Sequence, residues 1–290
     1  MSANSSAGSF RLPGTSLVLH RLGYGAMQLA GPGVWGPPRD HGAALTVLRE
    51  AIALGVNHID TSDYYGPHTI NQVIREALHP YPKDLVIVTK VGFRRGADQS
   101  WQVARSAQGL TDAVHDNLRN LGVDVLDVVN LRVGGAHGPI EESLTEPLTT
   151  LAELKQRGLI RHLGLSNVTE QQFVQAQSLV DIVCVQNQYN LLQRLDDAFL
   201  DRLAAKGIAY VPFFPLGGFT PLQASVLERA AKTLGASTMQ LALAWLLRRS
   251  ANILPIPGTS SLNHLRENLE AAALEVPHDI MAQLNSIGGS

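Results

Sequence analysis

The chain has 290 residues, 45% hydrophobic and 17% charged, which is enough apolar material for a large core. Its net charge of −2 at pH 7 offers no basic field to nucleic acid or to an anionic membrane surface, and no run approaches the roughly 18–20 apolar residues of a membrane span. The stretch MSANSSAGSF lacks the charged-then-apolar pattern of a leader, and the single cysteine, Cys184 within DIVCVQ, reads as a buried, inert thiol; a cytoplasmic, reducing setting is expected.

In chain order, the first dozen residues are expected to be loose, and RLGYGAM (21–27) is the first strand candidate. A helix follows over 41–54, with Ala44, Leu45, Leu48, Ala51 and Ile52 on one side, Asp40 as N-cap and Gly55 as terminator. VNHID (56–60) is the second strand; a helix over 69–79 carries Ile70, Val73, Ile74, Ala77 and Leu78 on one face. LVIVTKV (85–91) and LDVVNLR (126–132) are the third and fourth strands. The helix over 141–157 uses Leu144, Leu148, Leu151 and Leu154 and closes at Gly158. IRHLGLS (160–166), DIVCVQN (181–187) and IAYVPFF (208–214) are strands five to seven. STMQLALAWLLRR (237–249) is a helix apolar nearly all round, and NILPIPG (252–258) is the eighth strand. Near-continuous apolarity suits parallel strands covered on both faces. Eight strands alternating with helices, with no linker between them, predict a single-domain (β/α)8 TIM barrel spanning 1–290. An open doubly wound sheet would usually carry GxGxxG after its first strand; GYGAMQ (23–28) has two glycines and lacks the third.

Barrel chemistry sits at the C-terminal ends of the strands. Those ends here carry Asp60 with Tyr64 and Tyr65 beyond it, Lys90, Asn130 and Arg132, Ser166 and Asn167, Gln186, Phe213 followed by PLGGF, and PGTSS. Taken singly, each is as well explained by a turn, rim packing or a solvated charge; their convergence on one mouth argues for a reaction centre. A phenol is a poor acid near neutrality; an ammonium such as Lys90 favours its phenolate, and the Asp60 carboxylate holds the lysine charged and aimed. That set is a proton donor for an oxyanion forming on a carbonyl while hydride arrives from elsewhere. Ser166, Asn167 and Gln186 suit a nicotinamide carboxamide and Phe213 a flat ring; PLGGFTP (215–221) suits a pyrophosphate, and the helix N-terminus within 257–268 suits an anion, although GTSS also reads as a plain cap.

These stretches resemble the aldo-keto reductase family over nearly the whole chain. GVNHIDTSDYYG (55–66), IVTKVG (87–92), GLSN (164–167), VQNQYN (185–190) and IPGTSSLNHLREN (256–268) are similar to the family's motifs. The resemblance implies a barrel that binds NADPH in extended form and reduces aldehydes or ketones. It implies Asp60, Tyr65 and Lys90 as catalytic residues, with Ser166, Asn167 and Gln186 on the carboxamide. Phe213 stands where the family commonly has a stacking tyrosine, and Leu216 and Gly217 fall in the pyrophosphate loop. Gly258, Thr259, Ser260, His264, Glu267 and Asn268 fall in the adenosine region. Two departures stand out. The family's fourth catalytic residue is a histidine where DVVNLR places Arg132, a group that donates hydrogen bonds but does not titrate. A lysine common near the adenosine phosphate is Gly258 here, leaving Thr259, Ser260, His264 and Arg266 to replace it, so NADH remains an alternative. RLGYGAMQLAGPGVWGPPRD (21–40), DVVNLR and VPFFPLGGFTPLQ (211–223) resemble a bacterial subgroup whose implied substrate is pyridoxal, with Trp35, Tyr64 and Asn130 as substrate contacts. Competing readings are a non-catalytic NADPH-binding regulator and a barrel enzyme using Lys90 as a Schiff base. No metal is expected, since the ten histidines are scattered without an HxH at a strand end.

Overall fold

A computed structural model describes residues 6–135, 138–217 and 224–287. Its strands are β1 (Ser9–Arg11), β2 (Val18–His20), β3 (Tyr24–Gly25), β4 (His58–Asp60), β5 (Val86–Val91), β6 (Phe93–Arg95), β7 (Trp101–Val103), β8 (Leu126–Arg132), β9 (Ile160–Ser166), β10 (Ile182–Gln186) and β11 (Ala209–Tyr210). Seven of these form one parallel sheet in the order β11-β10-β9-β8-β5-β4-β3. The segment 252–257 closes it. On one side the Tyr210 N–H donates to Asn252 O (2.8 Å) and the Leu254 N–H to Tyr210 O (2.9 Å). On the other, the Gly23 N–H donates to Pro255 O (2.9 Å) and the Gly25 N–H to Pro257 O (3.4 Å). Pro255 and Pro257 have no N–H to give back, so the eighth barrel strand accepts from β3 without a two-way ladder. The expected (β/α)8 barrel is therefore present, with its last strand reduced to a bridge between Tyr210 and Ile253.

The helices are α1 (His41–Ala53), α2 (Thr69–Leu78), α3 (Ala107–Leu121), α4 (Thr145–Gln156), α5 (Glu170–Gln177), α6 (Asp197–Ala205), α7 (Ser225–Leu234), α8 (Thr238–Arg249), α9 (Leu262–Glu270) and α10 (His278–Asn285). Asp40 caps α1 as expected, its side chain accepting from the Ala43 N–H. In α8 every residue from Leu241 to Leu247 is buried. α4 starts later than the expected 141: the Gln172 amide donates to the carbonyls of Ile140 (2.8 Å) and Glu142 (3.1 Å), holding that stretch outside the helix. No helix among the described residues is long and apolar enough to cross a membrane.

The first dozen residues are not all loose, contrary to expectation. β1 and β2 form a hairpin, and Leu12 and Leu19 join Val86, Val88, Val128 and Ala209 in the cluster that fills the barrel interior. A second hairpin, β6–β7, leaves the end of β5 and rises beside the mouth. Both hairpins use three-residue strands, too short for an alternation pattern to register in the sequence.

Candidate functional site

The two-residue period of the strands builds the site. Val86 and Val88 pack in the barrel interior, so Lys90, next on the same face of β5, emerges at the C-terminal end. The same step leads from Val128 through Asn130 to Arg132, from His58 to Asp60, from Cys184 to Gln186, and from Val211 to Phe213. Lys90, Asp60, Arg132, Gln186 and Phe213 all line one cavity of about 500 Å3, together with Tyr64, Tyr65, Leu216 and Gly258. Gly92 makes the exit from β5 possible: at φ +111° it approaches Arg132 so closely that a Cβ would lie 2.5 Å from the Arg132 carbonyl oxygen.

Asp60 and Lys90 form a buried ion pair at the cavity floor. One carboxylate oxygen accepts from Lys90 Nζ and the other from Gln186 Nε2 (2.7 Å); Lys90 Nζ also donates to Thr61 O (3.0 Å). Both charges are thus hydrogen-bonded as well as paired, which burial demands. The loop after β4 is pinned from behind: Asp63 Oδ1 accepts from the amides of Asn71 (3.1 Å) and Asn120 (2.9 Å), residues of α2 and α3. That loop sets Tyr65 with its ring 5.3 Å from Lys90 Nζ, and Tyr64 edge-on against Tyr65 at 5.4 Å.

Burial dominates the electrostatics of the two tyrosines. Burial raises the Tyr65 pKa far above its ordinary value, the Asp60 carboxylate raises it further, and Arg132 opposes both. The Lys90 charge is paired with Asp60 while its ammonium lies against the Tyr65 ring, so both Lys90 and Arg132 are cations beside the phenol. At neutral pH Tyr65 is a protonated phenol. Tyr64 is likewise pushed up to about 12, chiefly by burial, with Arg132 and Lys90 opposing. The Tyr64 hydroxyl is buried without a hydrogen-bond partner, while the Ser62 hydroxyl donates to Lys90 O (3.3 Å).

Arg132 turns toward the loop after β8. Its Nε donates to Gly134 O (3.2 Å), Nη2 to Gly135 O (3.2 Å) and Nη1 to Ser166 Oγ (3.5 Å), and its guanidinium carbon lies 4.8 Å from the Phe213 ring centre. Ser166 Oγ donates to Gln186 Oε1 (3.3 Å), so Ser166 stands behind the cavity and holds the Gln186 side chain that lines it. Asn167, at φ 58°, spends its amide on Gly135 O (2.7 Å) and Gly138 O (3.0 Å) and does not line the cavity.

The expected substrate residues divide. Tyr64 lines the cavity; Asn130 and Trp35 do not. Asn130 lies one layer below Arg132, where its Oδ1 accepts from Cys184 Sγ (3.3 Å); Gly164 makes room for both, since a Cβ there would stand 2.0 Å from Asn130 Oδ1. Trp35 faces Arg95 instead, 5.2 Å from its guanidinium. Trp101 and Phe93, from the β6–β7 hairpin, are wall residues that sequence reasoning missed. An available signal was a tryptophan in the polar stretch DQSWQV, 47% exposed in the structure.

Toward α9 the picture is mixed. Gly258 lines the main cavity, and Ser260 lines an adjoining one of about 390 Å3 reached past Met27 and Gln28. Thr259 serves the backbone, its hydroxyl accepting from the Ser261 N–H (3.0 Å) and its carbonyl from Tyr24 Oη (2.5 Å). Ser261 caps α9 through the His264 N–H (3.4 Å). His264 is exposed in the first turn, Glu267 is half-buried and Asn268 is buried. Arg266 is held by Glu50 of α1 (2.8 Å). Gly217, at φ 91°, is the last described residue of its loop; 218–221 of the expected pyrophosphate stretch lie outside the described residues.

The arrangement can deliver a proton from Tyr65 to an oxygen in the cavity and place a cation, Arg132, beside the charge that results. The Lys90 ammonium has its hydrogen bonds taken by Asp60 and Thr61, an arrangement unlike a free amine awaiting a Schiff base.

Residues 21–288 match the aldo/keto reductase family model. The chain is 64% identical over 284 residues to a pyridoxine 4-dehydrogenase of Escherichia coli, covering 97% of this chain and 99% of that protein. Among solved structures it is similar to a thermostable aldo-keto reductase in complex with the inhibitor epalrestat (TM-score 0.81, 29% identity, 97% and 99% of the two chains). An aldo/keto reductase of Klebsiella pneumoniae in complex with NADP and acetate shares the fold (TM-score 0.78, 23% identity, 96% and 94% of the chains). The motifs at the barrel mouth, the barrel itself and these matches agree: the chain belongs to the aldo/keto reductase family.

Proposed function

We propose that this chain catalyses the NADPH-dependent reduction of pyridoxal, or a closely similar flat aromatic aldehyde, to the alcohol, with Tyr65 as the proton donor. The observation that carries the reading is Tyr65 itself: a phenol kept protonated by burial, beside the Asp60–Lys90 ion pair, on the wall of the cavity at the barrel mouth. The substrate follows from the E. coli relative, whose name specifies pyridoxine and which covers the chain end to end.

The residues fit a nicotinamide cofactor. Gln186 lines the cavity with a second amide N–H and a further carbonyl lone pair to offer a carboxamide, Ser166 holds it from behind, and Phe213 offers an aromatic face in the same cavity. Asn167 is committed to the neighbouring turn, so Gln186, held by Ser166, carries that contact. For the adenosine phosphate, Arg266 is engaged by Glu50, which leaves His264, Ser260 and the first-turn N–H groups of α9. When bound, the cofactor supplies the hydride to the carbonyl carbon. Tyr65 then gives its hydroxyl proton to the carbonyl oxygen and becomes a phenolate, which Arg132 stabilises until solvent returns the proton. Tyr64, kept neutral by burial, lines the cavity beside the substrate ring, and Arg132 is placed to face its phenolic oxygen.

Tyr65→Phe tests the assignment. It removes one hydroxyl and no packing, so turnover should fall by about 10²–10⁴-fold with NADPH affinity, read by fluorescence titration, unchanged. Undiminished turnover would remove Tyr65 from the chemistry.

A further inference from the structure

The cavity has an upper wall built from two separate pieces of chain, the loop Gly31–Gly36 after β3 and the β6–β7 hairpin, and one side chain joins them. Arg95 pairs directly across the hairpin with Trp101, and its guanidinium lies 4.1 Å over the Trp101 ring and 5.2 Å from Trp35. Its Nη1 donates to Val34 O (2.9 Å) and its Nη2 to Gly33 O (3.1 Å), both in the opposite loop. Within the hairpin, Nε and Nη2 also donate to Gln99 O (3.2 and 2.9 Å). The fork is therefore filled at both ends.

What the fork holds is a strained backbone. Val34 sits at φ 59°, a conformation that a β-branched residue adopts at a cost. Its carbonyl is fixed by Arg95 and by the Gly66 N–H (3.1 Å), which ties it to the loop carrying Tyr64 and Tyr65. Gly33, Val34 and Trp101 all line the cavity, and Tyr64 meets Trp101 edge to face at 5.5 Å.

Resting on the proposed reduction of a flat aromatic aldehyde, the geometry points to Arg95 as the positioning residue of the substrate wall. It clasps the Gly33–Val34 loop to Trp101 and so fixes where that wall stands relative to Tyr65 across the cavity. Arg95 touches no reacting atom; it acts through Trp101 and Val34.

The test compares wild type, Arg95→Ala and Arg95→Lys in two measurements. In the first, NADPH-dependent rates are taken with pyridoxal and with propanal, a small aldehyde with no ring to pack against the wall. R95A should lower the ratio of kcat/KM for pyridoxal over propanal about tenfold, with the change in the pyridoxal KM. R95K should resemble R95A, because a point-like ammonium lacks the planar fork that reaches carbonyls in both pieces of chain while lying over the Trp101 ring; wild-type behaviour of R95K would overturn the fork. An unchanged ratio in R95A would overturn the role in selectivity. In the second, amide hydrogen exchange over 31–36 should quicken about tenfold in R95A while α1 keeps its protection; equal exchange would overturn the clasp. Wild-type enzyme that reduces propanal but not pyridoxal would sink the substrate class, and the exchange measurement would still decide whether Arg95 joins the wall.

Discussion

Lys90→Met would strip the ammonium from a pair whose side chains are only 2% and 6% exposed. The Asp60 carboxylate would keep one partner, the Gln186 amide, and lose the charge that offsets its desolvation. Leaving a buried charge uncompensated costs about 3–5 kcal/mol, whereas replacing both partners with neutral groups is often close to neutral. Asp60→Asn alone should also destabilise, since it leaves the ammonium with only neutral acceptors, among them Thr61 O. The double variant D60N/K90M should recover most of the loss and lie within about 1–2 kcal/mol of wild type. Urea unfolding of the four proteins closes the cycle, and a coupling of at least about 2–3 kcal/mol is expected. Additivity of the single changes within about 0.5 kcal/mol would refute the claim that the two residues fold as an ion pair. All three variants should be nearly inactive, so the stability cycle isolates the pairing from the chemistry.

Two further outcomes follow from other residues. His58 is buried with neither ring nitrogen hydrogen-bonded, and burial, with help from His20, lowers its pKa from 6.5 to about 4. A lowered pKa means the folded state prefers the neutral ring, so stability is full above pH 6.5 and falls as pH drops toward 4, by about 3 kcal/mol in all. His58→Phe should flatten that part of the stability-versus-pH curve; an unaltered slope would assign it to other groups. Arg132→Met removes the cation opposing the high Tyr65 pKa and the group stacked on Phe213, and should lower kcat for pyridoxal about 10–100-fold. Wild-type turnover would show that Arg132 does not stabilise the developing charge.

What was legible in the sequence was set by periodicity. Asp60, Lys90, Arg132, Gln186 and Phe213 end apolar runs, and a strand end in a barrel is a defined place, so their meeting in one cavity followed from the eight-strand count. Asn130 shows the limit of that argument: the same two-residue step that brings Arg132 to the mouth leaves Asn130 a layer below it, against Cys184. Asn167 shares a motif with Ser166, yet its left-handed backbone turns its amide to Gly135. Neither hairpin was legible, because three-residue strands carry no alternation, and so the wall residue Trp101 was missed. α3 was missed because its buried face mixes Leu110, Val114 and Leu121 with Asn117 and Asn120, which read as solvated until Asn71 and Asp63 are seen to partner them.

The central claim is tested most directly by following NADPH oxidation at constant enzyme concentration with pyridoxal, a panel of simple aldehydes, and NADH in place of NADPH. The account predicts that pyridoxal is turned over with a higher kcat/KM than the panel and that NADPH outperforms NADH. Tight NADPH binding with no turnover of any aldehyde would contradict it and mark the chain as a cofactor-binding protein without reductase activity.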